Sequence, residues 1–271
     1  MYQDHFSTYL FVPATRLDRA VKAAGSGASH IIIDLEDAVE PEHKAQVRDD
    51  LLAFDRQSDI PYWLRINAAH TCDYTHDVKL LNELTHAQGV LLPKTESALS
   101  VTALHQATSL PIIAVIETAK GVLNIPQIAT AAGLFAMTYG CLDLGKSLGV
   151  LADTPSAKVV FDRIRTDLLL HSVANGLSAP IETIFADFQD DSGVGEFAKY
   201  AQAFGFGGQL LIHPRQVPPV QRATTPSDEV LNFARQVLAV HDETGRAVFS
   251  VQGKMVDLPV INWAKNLLAR S

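Results

Sequence analysis

The stretch from Pro111 to Gly149 decides the fold and reads PIIAVIETAKGVLNIPQIATAAGLFAMTYGCLDLGKSLG. It contains two apolar runs, PIIAVIE and LFAMTYG, which lead into two carboxylates, Glu117 and Asp143. The segment between the runs, AKGVLNIPQIATAAG, has the length of a helix. The pattern therefore predicts a strand, a helix and a second strand, with an acid at the carboxyl end of each strand.

Glu117 and Asp143 should lie close together in such an arrangement. Neighbouring strands of a parallel sheet are about 5 Å apart, so the acids at their ends converge. Two converging carboxylates suit a hard divalent cation such as Mg²⁺. The alternative is that both are ordinary loop acids that cap helix N-termini. This stretch by itself leaves the two interpretations open.

The same alternation of strand and helix runs through most of the chain. We predict eight strands, and the segments between them carry helical spacing: Tyr9–Pro13, His30–Leu35, Tyr62–Ile66, Gly89–Pro93, Ile112–Ile116, Leu134–Tyr139, Ile181–Ala186 and Gln209–Ile212. Near-continuous apolar strands are typical of a parallel sheet buried on both faces. The number of βα units predicts a closed (β/α)8 TIM barrel. A doubly wound open sheet is the alternative, and it is less favoured because no Gly-rich dinucleotide fingerprint follows any strand.

The pattern changes after Pro214. A Pro-punctuated connection leads to a helix that should begin at Pro226-Ser227-Asp228-Glu229. A hairpin with its turn at Gly253-Lys254 and a last helix follow. We therefore predict a barrel domain over residues 1–220 and a C-terminal extension over residues 221–271, which packs on the barrel or on a neighbouring subunit.

Composition restricts the partners and the compartment. The 271 residues carry 22 Lys and Arg against 30 Asp and Glu, a formal charge of −8. This balance argues against nucleic acid or an anionic membrane as the main partner. Cys72 and Cys141 form neither a metal spacing nor a disulfide framework, which favours a reducing compartment. The sequence shows no signal peptide and no apolar run of the roughly 18 residues that a membrane span needs, so we predict a soluble, cytoplasmic protein.

Polar residues at the carboxyl ends of barrel strands are the natural site candidates. Strand 1 leads to Arg16, which should open the following helix and suits a phosphate; the alternative is a surface arginine. Strand 3 ends with Arg65, whose buried guanidinium needs an anion. We expect a substrate carboxylate held in its fork, with a structural ion pair as the alternative.

Other strand ends add acids and one amine. Strand 2 ends in Asp34, Glu36 and Asp37, one of which could hold a water or a metal-bound water. For Asp37, capping of the following helix explains the acid equally well. Strand 4 ends in Lys94, which should stay protonated and pair with a neighbouring acid. Asp187 after strand 7 and His213 after strand 8 complete the set.

These strings together resemble the citrate lyase beta subunit group of the HpcH/HpaI aldolase superfamily. The blocks occur in order from about Leu10 to Leu268: LFVPATR, IIIDLEDAVEPEHK, RIN, LLPK, IETAKG, the region around Asp143, IHPRQV and GKMVDLPVI. Two departures are visible. Ala14-Thr15 replaces the usual Gly-Asn or Gly-Asp, and Leu142 replaces an acid that often precedes the second metal ligand.

The resemblance implies a lyase that depends on Mg²⁺, with Mn²⁺ as an alternative, and acts on CoA thioesters of 2-hydroxy acids. It matches Glu117 and Asp143 to metal ligands and Arg65 to the group that binds the keto-acid carboxylate. Arg16 lies in the block associated with CoA. Asp257 matches an acid that a neighbouring subunit delivers in related enzymes, which are commonly trimers. We therefore expect a homotrimer.

The resemblance also implies the chemistry. We expect cleavage of citramalyl-CoA to pyruvate and acetyl-CoA, with malyl-CoA and citryl-CoA close behind. Asp257 is the candidate that protonates the enolate carbon of acetyl-CoA. The alternatives are a pyruvate-type aldolase that acts without CoA and a non-catalytic barrel subunit.

Overall fold

The computed structural model describes residues 6–151 and 154–269, and its main unit is a closed barrel of eight parallel strands. Each strand pairs with the next along the chain, and β8 pairs with β1. The strands are β1 Ser7–Pro13, β2 His30–Asp34, β3 Tyr62–Arg65, β4 Ala87–Leu92, β5 Ile112–Ile116, β6 Leu134–Tyr139, β7 Ile181–Glu182 and β8 Gly208–Leu211. The predicted (β/α)8 barrel is confirmed, and the open sheet is wrong.

Helices follow the strands around the barrel. They are α1 Ala20–Ala24, α2 Lys44–Gln57, α3 Asp73–Leu81, α4 Ala98–Thr108, α5 Ala119–Leu123, α6 Ile125–Ile128, α7 Cys141–Leu148, α8 Pro155–Ala174, α9 Asp191–Phe204 and α10 Val217–Thr224. Short 3-10 segments lie at Ala14–Arg19, Pro41–His43 and Pro214–Gln216. None of the helices in the described ranges has the length and apolar composition needed to cross a membrane.

Two apolar clusters hold the barrel together, because successive side chains of a strand point to opposite faces. One cluster is formed by strand side chains that share one face of the sheet, and it includes Tyr9, Ile32, Trp63 and Leu91. The larger cluster is formed by strand side chains on the opposite face and by the helix side chains that pack against them. The Trp63 ring needs the space beside Gly89, since a Cβ there would lie 2.3 Å from the ring.

In the barrel unit, the segment after β5 and strand β7 differ most from the sequence prediction. The predicted single helix after β5 is divided into α5 and α6 at Asn124, with Pro126 in the first turn of α6. A proline fits a helix start but interrupts a helix interior. Strand β7 stops at Glu182 instead of Ala186, because the Thr183 N–H donates to Glu182 Oε1 at 3.0 Å and not to a neighbouring strand.

The rest of the described chain, from Thr224 to Ala269, forms a second compact unit. It contains α11 Asp228–Thr244, strands β9 Phe249–Val251 and β10 Lys254–Val256, and α12 Leu258–Leu268. Its core is Ala234, Val237, Val251, Val256, Ile261 and Ala264. The predicted helix start is confirmed, since Ser227 Oγ accepts from Val230 N at 3.4 Å. The predicted hairpin turn was one residue late: Gln252 and Gly253 both have positive φ, and Lys254 already belongs to β10.

Candidate active site

Charged side chains gather at the carboxyl ends of strands β2 to β6. Asp34 and Arg65 are the last residues of β2 and β3, and Glu117 directly follows β5. Asp143 lies in the first turn of α7, which follows β6. Ion-pair distances of 4.0 Å or less connect five carboxylates to two cations here: Asp34, Glu36, Asp37, Glu117 and Asp143 to Arg65 and Lys94.

Arg65 and Asp34 form a two-pronged ion pair. Arg65 Nε donates to Asp34 Oδ1 at 2.7 Å, and Nη2 donates to Oδ2 at 2.6 Å. The guanidinium also stacks 4.8 Å from the ring centroid of Phe11. The fork that we expected to hold a substrate carboxylate is therefore occupied by Asp34. Nη1, which lies 3.4 Å from the carboxylates of Glu36 and Asp37, is the part of Arg65 nearest the other acids.

Lys94 joins three of the acids. Its φ of 48° is unusual for a residue with a side chain, and it lets the backbone and the ammonium reach different partners. The Lys94 N–H donates to Glu117 Oε1 at 2.7 Å, and Nζ donates to Glu36 Oε1 at 2.6 Å. Nζ also lies 3.5 Å from Asp143 Oδ2 and 4.0 Å from Glu117 Oε1.

The charge state of Lys94 follows from these contacts. Burial lowers the pKa of Lys94. The hydrogen bond to Glu36 and the negative charge of Glu36 raise it by more than burial lowers it, so the net shift is upward. Lys94 is therefore protonated near neutral pH and paired with an acid, as expected from the sequence. A Schiff base would need the opposite shift.

Glu117 is the most unusual acid of the group. Its side chain is buried, with 5% exposed. Burial, and then the nearby negative charge of Glu36, raise the pKa of Glu117 to about 7. Gly140 makes room for it, because a Cβ at that position would lie 2.4 Å from Glu117 Oε2. Sequence reasoning missed Gly140, although a glycine directly after a strand was the visible signal.

Neither Glu117 nor Asp143 is an N-cap residue, although Asp143 lies in the first turn of α7, where a carboxylate also stabilises a helix N-terminus. The cap of α5 is Thr118, whose Oγ1 accepts from Gly121 N at 3.0 Å. The N-cap position of α7 is Gly140, which has no side chain to offer. Asp37 does not cap a helix either, since Glu40 precedes the 3-10 segment that follows. These acids are thus available to the site.

The donor set fits a hard cation that takes only part of its coordination from the protein. In residues 6–151 and 154–269, no group of three or more His, Cys, Asp or Glu side chains is arranged to hold a metal ion. Mg²⁺ is commonly bound through one or two carboxylates, with water and substrate oxygens completing the shell. The Lys94 ammonium among Glu36, Glu117 and Asp143 shows that this point stabilises positive charge.

The remaining candidates have local partners. Arg16 lies inside a 3-10 segment and has non-helical φ and ψ angles of −134° and 52°. The prediction that Arg16 begins a helix is therefore wrong. Its side chain is half exposed and pairs with Asp18 at 2.8 Å. Asp187 is exposed and accepts from Gln189 N at 2.9 Å. His213 accepts from Arg215 N at 3.1 Å, which is a capping contact.

Asp257 belongs to the second unit and has a structural contact there. It is the N-cap residue of α12, and its Oδ1 accepts from Val260 N at 3.3 Å. An N-cap contact of this kind typically stabilises a protein by about 1 kcal/mol. A substitution that tests a catalytic role of Asp257 must therefore keep the N-cap hydrogen bond and remove only the acid.

Comparisons with known proteins agree with this geometry. A family model described as HpcH/HpaI aldolase/citrate lyase matches residues 7–214, and one described as a C–C bond lyase of the TIM-barrel fold matches residues 166–271. A citrate lyase subunit beta-like protein of Mycobacterium tuberculosis is 35% identical over 97% of this chain and 94% of its own length. A (3S)-malyl-CoA thioesterase of Cereibacter sphaeroides is 30% identical over 100% of this chain and 96% of its own.

A solved structure is also similar over the full length. It is the protein CitE of Mycobacterium tuberculosis in complex with magnesium, acetoacetate and coenzyme A. Its TM-score to this chain is 0.86 at 35% identity, and the match covers 98% of each chain.

Proposed function

Because the chain belongs to the HpcH/HpaI aldolase/citrate lyase family, we propose that it is a magnesium-dependent carbon–carbon lyase that cleaves the CoA thioester of a 2-hydroxy acid, with the hydroxyl β to the thioester carbonyl. The products would be a keto acid and acetyl-CoA. The observation that carries the proposal is the group of acids around the Lys94 ammonium at the barrel mouth. The magnesium and coenzyme A bound by the similar CitE structure support it.

Glu117 and Asp143 would hold the metal ion. As a Lewis acid, a bound Mg²⁺ stabilises negative charge on a substrate oxygen. Glu117 is buried and Asp143 is half exposed, so the site is open on the side of α7. Chelation should abolish turnover, and Glu117→Gln should weaken metal binding severely. Full activity in the presence of a chelator would disprove the metal proposal.

Arg65 would bind the keto-acid carboxylate through the part of its guanidinium that Asp34 leaves accessible. Asp34 fixes the plane of the guanidinium, since both of its oxygens accept from Arg65. Nη1 points toward the acids of the strand 2 loop and can donate to a bound anion. This arrangement orients the substrate without moving the ion pair.

The cleavage step balances as a retro-Claisen reaction. A general base takes the hydroxyl proton, the oxygen forms the new carbonyl, and the electrons of the carbon–carbon bond pass to the thioester α-carbon. That carbon then takes a proton to give acetyl-CoA. Asp257 of a neighbouring subunit in a homotrimer is our candidate for the donor, and Arg16 is our candidate contact for the CoA phosphates.

Mixed oligomers test the role of Asp257. Because Asp257 caps α12, the variant should be Asp257→Asn, which keeps an N-cap oxygen but loses the acid. Asp257→Asn and Glu117→Gln proteins should each be nearly inactive alone. Oligomers refolded from both should recover activity at sites that combine an intact Asp257 with an intact Glu117. If mixed oligomers form and stay inactive, Asp257 does not act across subunits.

The acyl chain can be identified with a substrate panel. We propose citramalyl-CoA, giving pyruvate, with malyl-CoA and citryl-CoA tested beside it in the presence of Mg²⁺. Keto acid and acetyl-CoA should appear in equal amounts. Free CoA thiol without keto acid would instead indicate a thioesterase, the activity in the name of the Cereibacter sphaeroides relative. Turnover of pyruvate with a free aldehyde, unaffected by CoA, would indicate a CoA-independent aldolase, and no turnover of any substrate would favour a non-catalytic barrel.

A further inference from the structure

Lys44, the first residue of α2, is a buried lysine that the proposed chemistry does not use. Its relative exposure is 9%. Nζ donates to Leu35 O at 3.0 Å, to Glu36 O at 3.1 Å and to Asn67 Oδ1. An ammonium has three N–H donors, so each donor has one acceptor. Within the described ranges, no carboxylate lies at salt-bridge distance from this ammonium.

A buried cation held only by neutral acceptors is an expensive way to stabilise a protein. Desolvation of an ammonium is costly, and an apolar side chain of the same size would fill the space more cheaply. What the lysine supplies instead is geometry, since two of its three acceptors are consecutive backbone carbonyls. Those carbonyls belong to the loop that carries Glu36.

The third acceptor is itself fixed. Asn67 Nδ2 donates to Asp77 Oδ2 at 2.7 Å, and the Asn67 N–H donates to the same oxygen at 2.8 Å. These bonds turn the amide oxygen of Asn67 toward Lys44. Asp77 is fully buried and also accepts from Arg48 Nε at 2.7 Å. Lys44 is thus anchored from the loop after β3, which α3 holds through Asp77, while it binds the two residues that follow β2.

The loop that Lys44 holds presents Glu36 to the site. Glu36 Oε1 accepts from Lys94 Nζ at 2.6 Å, and Lys94 lies beside Glu117 and Asp143. Glu36 Oε2 is buried and accepts no hydrogen bond from the described residues. The position of the Lys94 ammonium therefore depends on where the loop backbone places Glu36.

We propose that Lys44 is a positioning residue, which fixes the Leu35 and Glu36 carbonyls so that Glu36 holds the Lys94 ammonium beside the carboxylates of the site. The effect of Lys44 on catalysis rests on the proposed function, whereas its effect on the loop can be measured without any substrate. Two readouts separate the two claims: hydrogen exchange of the loop, which needs no substrate, and steady-state kinetics.

The test compares Lys44→Met with Val47→Ala. Methionine keeps the length and apolar stem of lysine but cannot donate. Val47 is buried on the same helix, about one turn further on, and its side chain cannot donate a hydrogen bond to the loop carbonyls. Amide exchange over residues 35–39 should rise about tenfold or more in Lys44→Met, since the loop carbonyls lose their two charge-assisted bonds to Lys44. It should stay within about twofold of wild type in Val47→Ala, although that variant loses buried methyl groups and melts at a lower temperature.

Kinetics complete the test through a double-mutant cycle with Glu36→Gln. Lys44→Met should lower kcat at least about tenfold in the wild-type background and have little further effect in the Glu36→Gln background, because it acts through Glu36. Unchanged loop exchange in a folded Lys44→Met protein overturns the proposal, as does an equal loss of kcat in both backgrounds. If the wild-type protein turns over no hydroxyacyl-CoA, the proposed function fails, and the exchange result still decides the role of Lys44.

Discussion

Metal binding at Glu117 should release a proton, because the buried Glu117 carboxyl is partly protonated near neutral pH. Burial and the nearby Glu36 raise the pKa of Glu117 to about 7. A cation binds the carboxylate form, so a proton must leave whenever Glu117 is protonated. The affinity is therefore lost as the pH falls through about 7. With one competing proton, binding should be about tenfold weaker at pH 6 than at pH 8.

The same shift acts on folding with a defined sign. The pKa of Glu117 is about 4.5 in the unfolded chain and about 7 in the folded protein. Between pH 4.5 and pH 7, Glu117 is therefore more often protonated in the folded protein than in the unfolded chain. The metal-free fold therefore becomes less stable as the pH rises through this window, by about 3 kcal/mol in total. A bound cation removes this cost above pH 7, so added Mg²⁺ should raise the melting temperature more at pH 8 than at pH 6.

Titration calorimetry in buffers of different ionisation enthalpy measures the release directly. Mg²⁺, or Mn²⁺ where the heat is small, should release about half a proton per ion at pH 7 and about one-tenth at pH 8. Residual binding to Glu117→Gln should show no proton release, since the substituted amide does not titrate. A release near zero at pH 7 in the wild-type protein, or equal affinities at pH 6 and pH 8, would refute the reasoning.

Two further predictions concern the geometry of the site. Arg65→Lys keeps the charge but cannot form both bonds to Asp34, so we expect kcat/KM for the thioester to fall about a hundredfold or more while the dissociation constant of CoA changes little. An unchanged rate would assign Arg65 to a structural ion pair. Gly140→Ala should displace the Glu117 carboxylate and weaken metal binding about tenfold or more, because overpacking costs about 1–3 kcal/mol. Calorimetry would show this, and wild-type affinity in a folded Gly140→Ala protein would mean that Glu117 does not hold the ion.

The barrel could be predicted from the sequence because its signals are local. Each strand is an apolar run with a polar residue at its end, and helical spacing fills the intervals. The acids Glu117 and Asp143 belong to the same signal, and the structure brings both within 4.0 Å of one ammonium. The family that the ordered motifs resemble was identified correctly, since the family model covers residues 7–214. The roles of individual residues remain proposals.

The contacts that the sequence did not reveal join residues far apart along the chain. The partner of Arg65 is Asp34, 31 positions away, and the partner of Lys94 is Glu36, 58 positions away. Such pairs depend on how the strand ends meet once the barrel closes. The positive φ of Lys94 is equally invisible, because it occurs at a residue with no intrinsic preference for that conformation.

The carboxylates of the site outnumber its cations. Five carboxylates face two cations, and one of those cations, Arg65, has its fork committed to Asp34. The Lys94 ammonium lies 2.6, 4.0 and 3.5 Å from Glu36, Glu117 and Asp143 respectively, and Arg65 Nη1 also lies 3.4 Å from Glu36. Glu117 is the farthest of the three from Lys94, and burial together with the nearby charge of Glu36 raises its pKa to about 7. A divalent ion at Glu117 and Asp143 would supply the missing positive charge, so the proton held by Glu117 and the proposed metal answer the same electrostatic deficit.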